Sequence, residues 1–137
     1  MGRGGPAGGA IPGCELKIKL LAPWEALPLL IAGLGVFPGG PPVVWAAPAV
    51  TVRLLSLHDS LCTALAPFPV HPHYRPGSWV PHVTLSQAGV TTAARAVEIA
   101  MSAWDGPIEG RLDRVELVRF RPVSVLWGCA LQPSGTG

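Results

Sequence analysis

Behind a Pro76-Gly77 turn, the run Trp79-Val80-Pro81-His82-Val83-Thr84-Leu85-Ser86-Gln87 alternates with period 2, and this constrains the chain more than any other stretch. Strand side chains point to opposite faces in turn, so His82 and Thr84 share one face while Val83 and Leu85 share the other. An imidazole and a hydroxyl then point the same way, with an apolar pair anchoring them from behind. An imidazole takes or gives a proton near neutral pH, and a hydroxyl donates to an anionic oxygen. Residues 80–85 are expected to form a central strand.

The neighbouring segments supply the rest of an α+β domain with two helices packed on antiparallel strands. Residues 15–20, Glu-Leu-Lys-Ile-Lys-Leu, alternate charged and apolar side chains and read as a short strand closed by Pro23. Residues 27–37 read as a buried strand, bent or bulged at Gly33 and Gly35. The turn chemistry of Pro38-Gly39-Gly40-Pro41-Pro42 then leads into a strand over residues 43–47, giving an antiparallel hairpin. Between residues 50 and 66 the period becomes helical: Val50, Leu54, Leu57, Leu61 and Leu65 form one stripe, and Pro67 stops the helix. A second helix is capped by Thr91 or Thr92, turns Val97, Ala100, Met101 and Trp104 inward, and ends at Gly106-Pro107. Residues 108–120 read as one strand, with a bulge where the alternation slips between Leu117 and Val118. The last strand carries Val123, Val125, Trp127, Cys129 and Leu131 on one face.

At 137 residues the chain is long enough for one domain with a core and too short for two comfortable ones. Its composition, 49% hydrophobic and 13% charged, excludes disorder throughout. Residues 1–13, rich in Gly and Pro, are expected to be disordered, residues 14–132 to form the domain, and residues 133–137 to fray. A net charge of +2 is too small for binding nucleic acid by electrostatics alone, so any contact with RNA is expected to be local. The three cysteines, Cys14, Cys62 and Cys129, show no metal-ligand spacing and read as reduced thiols of a cytoplasmic protein. The longest apolar run, residues 26–37, is broken by Pro28 and too short to span a bilayer, so the chain is expected to be soluble.

The segment Pro81-His82-Val83-Thr84-Leu85 resembles the second His-x-Thr-x motif of the 2H phosphoesterase superfamily, in particular the bacterial 2′-5′ RNA ligase family with its RNA 2′,3′-cyclic phosphodiesterase activity. The similarity runs from about Leu27 to Leu131 and includes Leu34-Gly35-Val36-Phe37, Val43-Val44-Trp45 and Leu57-His58. It implies a metal-independent reaction without cofactor on RNA ends or 2′,3′-cyclic nucleotides. In such proteins two His-x-Thr/Ser-x motifs face each other, one histidine acting as base and the other as acid, while the hydroxyls hold phosphoryl oxygens. The resemblance assigns the catalytic roles here to His82 and Thr84. Tyr74, Arg75, Arg119, Arg121 and Phe37 are candidate substrate-binding residues: the tyrosine to stack a base, the arginines to hold phosphate, Phe37 to line the cleft. Trp79 could stack a base or pack in the core; Trp45 and Trp127 are assigned to the core.

The first motif of the pair has no match, since no histidine precedes His58. An N-terminally incomplete domain is therefore expected, with activity crippled by loss of that motif. His58-Asp59-Ser60 fits the bare pattern, but helical periodicity puts its histidine and serine on different faces, so His58 reads as a packing residue. His71 and His73 read as solvent-facing loop histidines. Two other readings stand beside the enzyme: a non-catalytic phosphate- or nucleotide-binding remnant of the fold, and a structural domain without a ligand.

Overall fold

The computed structural model describes residues 24–66, 68–87, 92–120 and 122–133. It is α+β, with antiparallel strands and two α-helices, as the 2H resemblance implies. The elements divide between two compact units, each assembled from separated stretches of chain.

One unit comprises Pro28–Val52 and Trp79–Arg111. Its sheet is built from β1 (Leu27–Phe37), β2 (Val43–Pro48), β3 (Val83–Ser86) and β4 (Ile108–Leu112), in the order β3-β2-β1-β4. Strands β1 and β2 form the expected hairpin, and β1 carries an irregularity between Ile31 and Gly33, where a bend was expected. Strand β3 pairs with β2. Among the described residues β3 lies at the edge of this sheet and not at its centre, and it begins one residue after His82. Proline supplies no N–H to a ladder, so the alternation that starts at Trp79 becomes paired strand only beyond Pro81.

Helix α2 (Ala93–Ser102) is capped by Thr92, whose hydroxyl accepts from the Arg95 N–H at 3.2 Å. Gly106 follows the helix with φ +101°, a conformation that side-chain-bearing residues rarely adopt. The helix lies over an apolar groove of about 640 Å³ whose lining includes Leu34, Val44, Ala46, Ile99, Ala100 and Trp104. Met101, expected on the inner face, is exposed and is not part of the groove lining, whereas Ile99, equally exposed, is. Val83 and Leu85 also line this groove, yet they remain 45% and 57% exposed, so they anchor β3 less firmly than expected.

Among the described residues, the other unit contains Arg53–Ser78, residues 112–133 and residues 24–27. Helix α1 (Val52–Ala64) buries Leu54, Leu57 and Ala64; Val50 precedes the helix and is exposed, contrary to the expected stripe. Leu61, Leu65, Phe68, Leu117 and Trp127 pack against Ala64, which places Trp127 in a core as expected. Strands β5 (Arg114–Arg119) and β6 (Ser124–Ala130) pair antiparallel, with the register slipping between Leu117 and Val118, where the alternation slips. The stretch read as one strand is two, β4 and β5, separated by Asp113 and belonging to different sheets. The expected strand at residues 15–20 and the segment 1–13 lie outside the described residues.

Among the described residues no helix is long and apolar enough to cross a membrane.

Candidate functional site

The neighbourhood of His82 is built by a row across the sheet. Gly35 on β1 faces Trp45 on β2, and Trp45 faces Thr84 on β3. Directly opposed residues project to the same face, so Thr84 shares a face with the Trp45 side chain. The His82 ring meets that same indole, edge-to-face at 6.1 Å between centroids. His82 and Thr84 are thus on one side of the sheet and the α2 groove is on the other, as the alternation requires.

Three rings gather here. Phe37 stacks on Trp45 at 5.0 Å, and His82 stands at 87° to Phe37 with 5.1 Å between centroids. Edge-to-face contacts of this kind contribute about 0.5–1.5 kcal/mol beyond simple burial. The imidazole is half-buried, and its Nδ1 lies 2.7 Å from the Val80 carbonyl oxygen. A carbonyl only accepts, so in the neutral ring Nδ1 carries the hydrogen and donates it. Nε2 is then the nitrogen with the lone pair, ready to take a proton. Thr84 is exposed at the strand edge and brings a hydroxyl to the same face.

The other sequence-selected residues fall differently. Phe37 is beside His82, whereas Tyr74, Arg75 and Arg119 belong to the other unit. There Tyr74 stacks with Phe120 at 6.1 Å, and Arg75 donates from Nε to the Val70 carbonyl at 3.2 Å. Arg119 is exposed at the end of β5, and Arg121 lies outside the described residues. Trp45, assigned to the core from sequence, is a wall of the His82 cluster. The signal that could have found it was the hairpin register, which sets Trp45 opposite Gly35, two residues before Phe37.

His58 sits inside α1, with Cys62 Sγ 3.6 Å from its Nε2 one turn further on. Burial lowers its pKa, against the opposing influences of the Tyr74 backbone and Asp59. Burial also pushes the Cys62 thiol upward, with Asp59 adding to the effect. His71 and His73 are exposed, their rings stacked at 4.7 Å. Among the described residues no three His, Cys, Asp or Glu side chains gather as metal ligands would.

Residues 18–123 match the family model of the 2′-5′ RNA ligase superfamily. The chain belongs to that superfamily. The match spans β1 to β5 and includes His82 and Thr84. No curated protein matches the chain.

Proposed function

We propose that the protein acts on RNA-terminal phosphate as a 2′,3′-cyclic phosphodiesterase or 2′-5′ ligase of the bacterial kind, with His82 as the acid/base residue and Thr84 as a phosphoryl-oxygen donor. The observation that carries this reading is the Val80 carbonyl at 2.7 Å from Nδ1, which turns the lone pair of Nε2 toward use. In hydrolysis of a cyclic phosphate, water attacks phosphorus and a P–O bond to the ribose breaks. His82 Nε2 takes the proton of the attacking water, while the departing ribose oxygen takes a proton from solvent. Charge builds on the phosphoryl oxygens, where the Thr84 hydroxyl donates. Phe37 lines the substrate side of His82.

The second proton transfer sets the expected rate. Beyond His82-Val83-Thr84, the other His-x-Ser/Thr in these 137 residues is His58-Asp59-Ser60, and it lies within a helix. Two residues along a helix point about 200° apart, so that pair cannot repeat the geometry of His82 and Thr84. Activity is therefore slow compared with a protein having two facing motifs, and phosphate binding outlasts it.

The test is hydrolysis of a 2′,3′-cyclic nucleotide in the presence of a chelator, alongside binding of the same nucleotide. Slow turnover abolished by His82→Ala supports the reading. Binding without any turnover, lost in His82→Ala, gives the non-catalytic remnant instead. Neither binding nor turnover sinks both.

A further inference from the structure

We propose that Gly35 and Trp45 are positioning residues for His82, Gly35 acting through the indole. The proposal rests on the acid/base reading of His82 and names what holds that ring in its working orientation. A hydrogen bond to Val80 fixes one atom of the imidazole but leaves the ring free to swing about that contact. Phe37 and Trp45 remove the freedom, because each meets the ring at a steep angle, 87° and 66°. Phe37 and Trp45 are themselves stacked, so moving one disturbs both contacts.

Gly35 makes the arrangement possible. A Cβ built there would fall inside the Trp45 indole, 2.5 Å from its Cε2 and Cη2, far closer than carbon atoms approach. The indole lies in the space that a side chain at position 35 would take, and any residue larger than glycine evicts it. Gly33, two residues earlier on the same strand, has open space where its Cβ would be. The strand thus contains a glycine that the His82 cluster requires and a neighbour that it does not. The Trp45 N–H is buried without an acceptor among the described residues, so the ring and not its polar atom is what the cluster uses.

The experiment compares the full chain with Gly35→Ala, Gly33→Ala and Trp45→Phe, reading imidazole ¹⁵N shifts of His82 and the kinetics on a 2′,3′-cyclic nucleotide. In the unsubstituted chain His82 gives one tautomer with the hydrogen on Nδ1. Gly35→Ala gives a mixture and lowers kcat by about 10²-fold with KM little changed, the scale of loss that follows a misplaced catalytic group. Gly33→Ala matches the parent in both readouts, and Trp45→Phe, which retains a ring, recovers most of the single tautomer.

A single tautomer in Gly35→Ala, or equal damage from Gly33→Ala, overturns the proposal. Should Gly35→Ala fail to fold, Trp45→Leu removes the ring without any overlap and serves in the same measurement. Turnover that survives His82→Ala defeats the acid/base reading alone, because the tautomer comparison still tests the positioning.

Discussion

His82 and His58 begin from nearly the same local text, a histidine followed two residues later by a hydroxyl, and the two units make different things of it. At the entry to β3 the period of 2 keeps His82 and Thr84 on one face, and the Val80 carbonyl selects the tautomer. Inside α1 the period of 3.6 separates His58 from Ser60, and the neighbour that His58 gains is Cys62, one turn along. The imidazole of His58 is pressed toward neutrality by burial and is part of the packing of its helix. A short motif acquires chemical meaning only from the backbone that carries it.

Truncating each histidine should separate the two most strongly. His82→Ala is expected to remove residual cyclic-nucleotide hydrolysis, a loss of about 10²–10⁴-fold for one acid/base group. His58→Ala should leave turnover near the parent value while lowering the midpoint of urea unfolding. If turnover disappears in both variants, His58 is a second catalytic residue and the contrast between strand and helix collapses.

Next in size are the hydroxyls. A hydrogen bond to a charged group is worth about 1.5–3 kcal/mol, so Thr84→Val should weaken nucleotide binding by about ten- to a hundredfold. Ser60→Ala should leave nucleotide affinity unchanged in the same titration. Equal losses from the two would mean that the hydroxyls share a ligand, contrary to the helical geometry.

The smallest effect is a pH dependence of stability. The folded pKa of His58 lies below its ordinary value of 6.5. The unfolded chain therefore binds that proton more readily, and the stability His58 contributes is fully present above pH 6.5 and lost as pH falls through the window down to the lowered value. Urea unfolding between pH 7.5 and pH 5 should show this slope, and His58→Gln should flatten it. A slope unchanged in His58→Gln would assign the acid sensitivity to another group.

Much of this could be read in the sequence wherever one period holds without interruption. The hairpin of β1 and β2, the cap at Thr92, the slip between Leu117 and Val118 and the terminal strand all follow from side-chain alternation or turn chemistry within a short window. What was not legible depends on partners distant in sequence. The edge position of β3 depends on which strand lies beside it, and nothing within residues 80–85 encodes that choice. Asp113 divides an apparently continuous strand, because β4 and β5 find different sheets. Trp45 looks like core in a strand of valines and alanines; only its cross-strand partners, Gly35 and Thr84, bring it to the histidine.

The interruption at Asp113 has a consequence for the order in which the chain is made. The unit holding His82 is drawn from Pro28–Val52 and Trp79–Arg111, with Arg53–Ser78 looped out to the other unit. Synthesis runs from the N-terminus, so this unit possesses all its chain once Arg111 has been added. Among the described residues β5 pairs with β6 alone, so that ladder cannot form until β6 is made. A chain halted between Asp113 and β6 thus contains all four described strands of the His82 sheet while α1 still lacks the Trp127 side of its core.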